Sequence, residues 1–242
     1  MNRSATPTNT MNLSGIIFPV NGITARENWK RALRIKMFRL KGLLTIIALA
    51  GVALSIPHFF GFIQVRQGIG LNDILLNHIA PQNVSWFIFP LLYGMIGLTL
   101  INIAAFPELF LRSLQAYTIL MLIRMTLLYF LPLEPDRNLI PLEDPFIGKL
   151  FYSGNLITKD LFFSGHVSTI FILVLLNPVK TLTPVLLIAT ALIASFILIQ
   201  HVHYTIDVVA APFFAWLSYR ISGLEIFQTE KNMSAFQGEV KS

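Results

Sequence analysis

Residues 43–63 read LLTIIALAGVALSIPHFFGFI. The run has no charged side chain and is about as long as a helix needs to be to cross the hydrocarbon core of a bilayer. Five further apolar runs follow, at about 86–106, 109–131, 161–177, 184–201 and 204–222. None alternates apolar and polar residues as a barrel strand does, so each can satisfy its backbone in lipid only as a helix. The expectation is an all-α protein, an integral membrane bundle of six transmembrane helices over 43–222, with tails at 1–42 and 223–242. Composition agrees. Of the 242 residues, 55% are apolar and 12% charged, which excludes disorder and an ordinary soluble domain. Mean hydropathy is +0.67. There is no cysteine, so disulfides, thiolate zinc sites and thiol nucleophiles are excluded.

The cations set the orientation. With six spans, the side holding both tails carries thirteen Lys and Arg residues: Arg3, Arg26, Lys30, Arg31, Arg34, Lys36, Arg39, Lys41, Arg112, Lys180, Arg220, Lys231 and Lys241. The other side holds four, Arg66, Arg137, Lys149 and Lys159, and Arg124 lies inside the third span. The positive-inside rule then places both termini in the cytoplasm and the loops at 64–85, 132–160 and 201–203 outside. Short loops and an outward site suit a bacterial inner membrane. The stretch RENWKRALRIKMFRLK at 26–41 places Trp29, Leu33, Met37 and Leu40 on one helical face with cations around it. That pattern reads as an interfacial helix on an anionic leaflet, so the net charge of +6 needs no nucleic-acid partner.

Two of the five histidines stand in unusual settings. Ser164-Gly165-His166 opens the fourth span at its outer mouth, where free helix N–H groups and a partial positive charge favour an anion beside a titratable imidazole. Read alone, the tripeptide fits better a flexible loop entering a helix, with His166 an interfacial polar residue. His201-Val202-His203-Tyr204-Thr205-Ile206-Asp207 forms the turn between the last two spans. His203 and Asp207 are one helical turn apart, so the carboxylate can orient and charge-stabilise the imidazole. A buried pair locking two helices is the alternative, and ionisable groups inside a membrane are candidates for function by default. His201, His203 and Asp207 also count as three potential metal ligands. Residues 201 and 203 diverge on a helix, so no metal and no cofactor is expected. Both motifs fall on the same side of the membrane.

Together the segments Asp160-Leu-Phe-Phe-Ser-Gly-His166 and His203-Tyr-Thr-Ile-Asp207 resemble the type 2 phosphatidic acid phosphatase superfamily, specifically its sphingomyelin-synthase-like branch. Arg124-Met-Thr-Leu-Leu-Tyr-Phe-Leu-Pro-Leu-Glu-Pro135 is similar to that branch's third-span motif. The resemblance covers about 120–215. It implies a membrane lipid phosphatase or phosphotransferase working through a phosphohistidine intermediate on the extracytoplasmic face. It makes His203 the nucleophile, Asp207 the residue that orients it, and His166 the general acid. Arg124, Ser164, Gly165, Lys159 and Asp160 are the residues expected to meet the substrate or support the site, although Arg124 also reads as a bundle-interior arginine and Lys159 as a solvated loop cation. The partners implied are a phosphoester lipid and, for a transferase, a lipid acceptor. The broader family's Lys-x6-Arg-Pro motif is absent, and its Ser-Arg pair ahead of the nucleophile is replaced by Phe196 and Ile197. These departures favour the sphingomyelin-synthase-like branch and also motivate the alternative, a non-catalytic lipid-binding protein on a degenerate form of the fold. A small transporter is disfavoured by the lack of an internal repeat.

Overall fold

The computed structural model describes residues 24–142, 144 and 157–224. Most of the expected tails, and the loop residues Glu143 and Lys149, lie outside the described residues. Seven α-helices and no named strand occur among the described residues: α1 (Ala25–Arg34), α2 (Lys36–Val65), α3 (Ser85–Ile103), α4 (Pro107–Phe130), α5 (Gly165–Leu176), α6 (Thr183–Ile199) and α7 (Thr205–Ser222). Four helical stretches are long and apolar enough to cross a membrane: Lys36–Val65, Ser85–Ile103, Pro107–Phe130, and Lys180–Ile199, which adds a short 3₁₀ turn ahead of α6. α5 is apolar but shorter.

The basic stretch at 26–41 is not one helix. Thr24 and Glu27 form a capping box that starts α1, and Ile35 adopts an extended conformation (φ −78°, ψ 116°) that ends it. Trp29 is drawn inward. Its indole N–H donates to the Ala104 carbonyl (2.7 Å), Asn28 donates to Ala105 (3.2 Å), and the ring meets Phe38 and Phe110 edge-on. Trp29 therefore docks α1 on the α3–α4 turn instead of sharing an outer face with Leu33, Met37 and Leu40, which stay exposed. The cations from Lys36 to Lys41 belong to the first turns of α2.

α2 packs mainly on α4, and its buried residues, Phe38, Thr45, Val52, Phe60 and Ile63, recur at roughly heptad spacing. The remainder of α2 presents apolar side chains such as Leu43, Ile46, Ile47 and Leu54 outward, as a lipid-facing helix does. The inner bundle is built from α3, α4, α5, α6 and α7, with α5 making its closest contacts with α7 and α6. On α7 a stripe of fully buried small residues, Ala211, Ala215, Ser218 and Ser222, lets neighbouring backbones approach. Phe163 stacks on Phe214 (4.5 Å between centroids) where the chain enters α5.

The end of the bundle that carries the histidines is closed by loops that bond to one another. Ile69 and Leu133 pair as an isolated parallel bridge. Gly68 allows this approach, because a β-carbon there would stand 2.7 Å from the Leu133 backbone. Arg66 donates to the Leu128 and Tyr129 carbonyls and so caps the C-terminus of α4.

Candidate functional site

The two histidine motifs meet. Ser164 donates its backbone N–H to the carbonyl of Asp207 (3.1 Å), joining the N-terminus of α5 to the first turn of α7. Ser164 is the N-cap of α5, its hydroxyl accepting from the Val167 N–H. Gly165 and His166 occupy the first two helical positions. Their N–H groups have no partner within the helix and none elsewhere among the described residues, which leaves them directed at whatever sits above the helix end.

His203 and Asp207 are both buried, at 2% and 0% exposure. His203 Nδ1 stands 3.4 Å from Asp207 Oδ2, a charge contact without hydrogen-bond geometry. That oxygen accepts from the Tyr204 N–H (3.0 Å), while Asp207 Oδ1 has no hydrogen-bond partner among the described residues. The carboxylate lies at the third position of α7, where the helix dipole favours negative charge. A carboxylate facing Nδ1 favours the tautomer whose Nε2 carries the lone pair. His203 Nε2 has no partner among the described residues.

Arg124 is buried and lies across the mouth of α5. Its Nε donates to the Phe163 carbonyl (3.0 Å) and its Nη2 pairs with Asp160 (2.6 Å). Its Nη1 has no partner among the described residues. The guanidinium rests so close to Gly165 that a β-carbon there would meet Cζ at 2.9 Å, so any larger residue would have to push the Arg124 side chain aside. His166 follows Gly165 at the start of α5, and its ring contacts Phe89 edge-on (6.1 Å). The arrangement brings together His166, His203, Asp207, Arg124, Asp160, Ser164 and Gly165. It offers an anion two helix N–H groups, one guanidinium nitrogen and two imidazoles.

Lys159 is differently employed. Its ammonium donates to the Arg66 carbonyl (2.6 Å) and to Glu134 Oε1 (2.7 Å), so it ties three loop segments together. The hydrogen bond from Lys159 is the main cause holding the Glu134 carboxyl below its ordinary value; burial opposes it, and the Gly68 N–H adds to it. Asp73 plays a similar part at α7. Burial works to raise its carboxyl, but bonds from the Thr205 N–H and hydroxyl and from the Leu76 and Leu75 N–H groups outweigh that and hold it low.

The turn that carries His203 is fastened almost residue by residue. Gln200 is fully buried. Its amide donates to Ser85, Ile140 and Pro141 and accepts from the Val84 N–H. His201 bonds Asp136 and the Ile79 carbonyl. Tyr204 donates its hydroxyl to the Glu134 carbonyl and accepts from the Leu71 N–H. Thr205 bonds Asp73. His203 is the polar residue of this stretch whose side chain makes no hydrogen bond among the described residues. Sequence reasoning missed Gln200, Asp73, Asp136 and Glu134 as supports, and missed Phe89 beside His166. Gln200 carried a faint signal, as an amide at the end of an apolar run. The loop acids carried none, because their partners lie far away in sequence. His201 faces the loops, and no group of three potential metal ligands occurs among the described residues.

No protein-family model, no curated protein and no solved structure matches this chain.

Proposed function

We propose that this chain is a multi-pass membrane enzyme that transfers the phosphoryl group of a lipid phosphoester through His203. The observation that carries the reading is the hydrogen bond from Ser164 to Asp207, which sets His166 and the His203–Asp207 pair around two helix N-termini. His203 Nε2 attacks phosphorus, the bond from phosphorus to the leaving oxygen breaks, and His166 supplies that oxygen's proton. Asp207 holds the imidazole and balances the positive charge it gains. Arg124 and the Gly165 and His166 N–H groups stabilise charge on the phosphoryl oxygens. Water or an acceptor hydroxyl then attacks the phosphohistidine, His166 takes the proton back, and His203 is released. Water as the acceptor makes a phosphatase, and a second lipid's hydroxyl makes a head-group transferase.

The reading includes six crossings, with α5 and α7 completing the bundle, both termini cytoplasmic, and the site facing outward in a bacterial inner membrane. α5 has 12 residues, about 18 Å of helix against a core of about 30 Å. The site then lies below the outer surface. The non-helical entry to α5 satisfies the requirement that irregular backbone at that depth be enclosed by protein, since Leu161, Phe163 and Ser164 are buried. On the opposite end, the exposed cations Arg26, Lys30, Arg31 and Arg34 of α1, together with Leu33, suit an anionic leaflet.

The test is incubation of the detergent-purified chain with labelled phosphatidic acid and, separately, with phosphatidylcholine or phosphatidylethanolamine plus diacylglycerol or ceramide. Phosphate release, or a new labelled lipid formed only with acceptor, supports the reading if His203→Ala abolishes it. Turnover that persists in a folded His203→Ala protein overturns it. A silent folded wild type favours a lipid-binding protein, for which the absent phosphatase cations speak.

A further inference from the structure

α6 ends in a backbone turn whose key position is normally filled by glycine. The Val202 N–H bonds the Ile197 carbonyl (3.1 Å) and the His201 N–H bonds the Leu198 carbonyl (3.0 Å), which is the paired closure of a Schellman motif. The residue in the left-handed region is His201, at φ 56°. A non-glycine residue is costly there, and glycine alone would make the same turn without strain. A side chain in that position therefore calls for a compensating contact. His201 has two acceptors in reach: Nδ1 stands 3.0 Å from Asp136 Oδ1 and Nε2 3.0 Å from the Ile79 carbonyl, so either tautomer donates to one of them and the doubly protonated ring to both. Asp136 belongs to the loop after α4, and Ile79 to the loop between α2 and α3. The imidazole is 2% exposed, so it is a buried clasp between two loops and the turn.

We infer that His201 is a positioning residue for His203: its imidazole, clasped between Asp136 and the Ile79 carbonyl, fixes the left-handed turn that aims His203 at the α5 N-terminus. His201 does not touch the reacting atoms. It acts through two peptide units of backbone on His203, whose own side chain has no hydrogen bond to hold it among the described residues. Asp136 is the charged group facing the ring, and its Oδ1 also accepts from the Asn138 N–H (2.8 Å), which keeps the carboxylate in place.

The catalytic arm of this inference rests on the proposed phosphoryl transfer; the geometric arm does not. The experiment uses the full chain in detergent with two variants. His201→Gly keeps the turn and deletes both side-chain bonds. His201→Asn tolerates the left-handed region and restores one amide donor toward Asp136. Hydrogen exchange over 200–207 should quicken by about tenfold or more in His201→Gly, with exchange in the helix interiors unchanged. With the lipids that the wild type turns over, kcat should fall by about tenfold or more while KM stays within about twofold. His201→Asn should recover part of both. If His201 only stops a helix, His201→Gly leaves exchange and kcat at wild-type values, and the inference fails. It also fails if exchange quickens throughout the bundle, which is a general loss of stability. If the wild type turns over no lipid, the enzymatic reading fails by itself, and exchange over 200–207 alone decides whether the clasp exists.

Discussion

Arg124 leans on Gly165: the guanidinium carbon lies where a β-carbon on residue 165 would come within 2.9 Å. The glycine of the Ser-Gly-His turn is thus needed for what lies above it, more than for its own backbone. Gly165→Ala must push the guanidinium off either the Phe163 carbonyl or Asp160. We expect the variant to fold, with a stability loss of about 1–3 kcal/mol by melting in detergent. Lipid turnover should fall by about 10²-fold, because the displaced cation no longer meets the phosphoryl oxygens.

His203→Ala and Asp207→Asn separate chemistry from structure. His203 has no side-chain hydrogen bond among the described residues to lose, so its removal should leave the fold intact and bring turnover to background. Asp207→Asn keeps the shape but not the charge opposite Nδ1, and should lower kcat by about 10²–10⁴-fold. The comparison is steady-state kinetics beside circular dichroism. Near-normal kcat in Asp207→Asn would remove the orienting role.

Arg124→Lys keeps a charge but loses the planar fork that reaches Phe163 and Asp160 together. It should melt earlier, by about 1–3 kcal/mol of stability, because it leaves the buried Phe163 carbonyl without its donor and weakens the ion pair with Asp160. Turnover should fall with it. Unchanged kinetics would make Arg124 a structural residue of the bundle interior.

Gln200→Ala deletes an amide bonded to four partners from two other segments, Val84 and Ser85 at the start of α3 and Ile140 and Pro141 in the loop after α4. The loss should be about 2–4 kcal/mol, since the Val84 N–H and two carbonyls are left enclosed and unsatisfied. Thermal unfolding followed by tryptophan fluorescence reads this directly.

Acid should open the loop cap. Glu134 and Asp73 both titrate below their ordinary values of 4.5 and 3.8. A carboxyl depressed in the folded state stabilises it above the unfolded value, and that contribution disappears as pH falls through the folded value. Cap stability from these groups should be flat from neutral down to about pH 5 and should decline below about 4.5. Hydrogen exchange of the 68–76 and 133–136 amides against pH is the measurement. Glu134→Gln should remove part of the acid limb, and Asp73→Asn another part.

The helices were legible because hydropathy is summed over many residues. Runs read at 86–106, 109–131 and 184–201 became Ser85–Ile103, Pro107–Phe130 and Thr183–Ile199. The break at Ile35 was not legible, because the amphipathic pattern continues through it and the cause, Trp29 docking on the α3–α4 turn, is tertiary. At the site, the His203–Asp207 spacing could be read because it is local to one helix. The employment of Lys159 could not, because its partners Arg66 and Glu134 are chosen by how distant loops fold over one another. His201 read as a possible ligand beside His203, whereas the left-handed turn between them sends the two rings to different tasks.

The loops that fasten the His203 turn supply partners lying between 59 and 133 positions earlier in the chain. In the proposed topology these loops are translocated during synthesis well before α7 leaves the ribosome. Until that helix inserts, they have nothing to grip and the nucleophile has no seat. A chain stopped before α7 therefore carries His166 and Arg124 without His203 and Asp207. On the proposed reading, lipid turnover is withheld until α7 has been made and inserted.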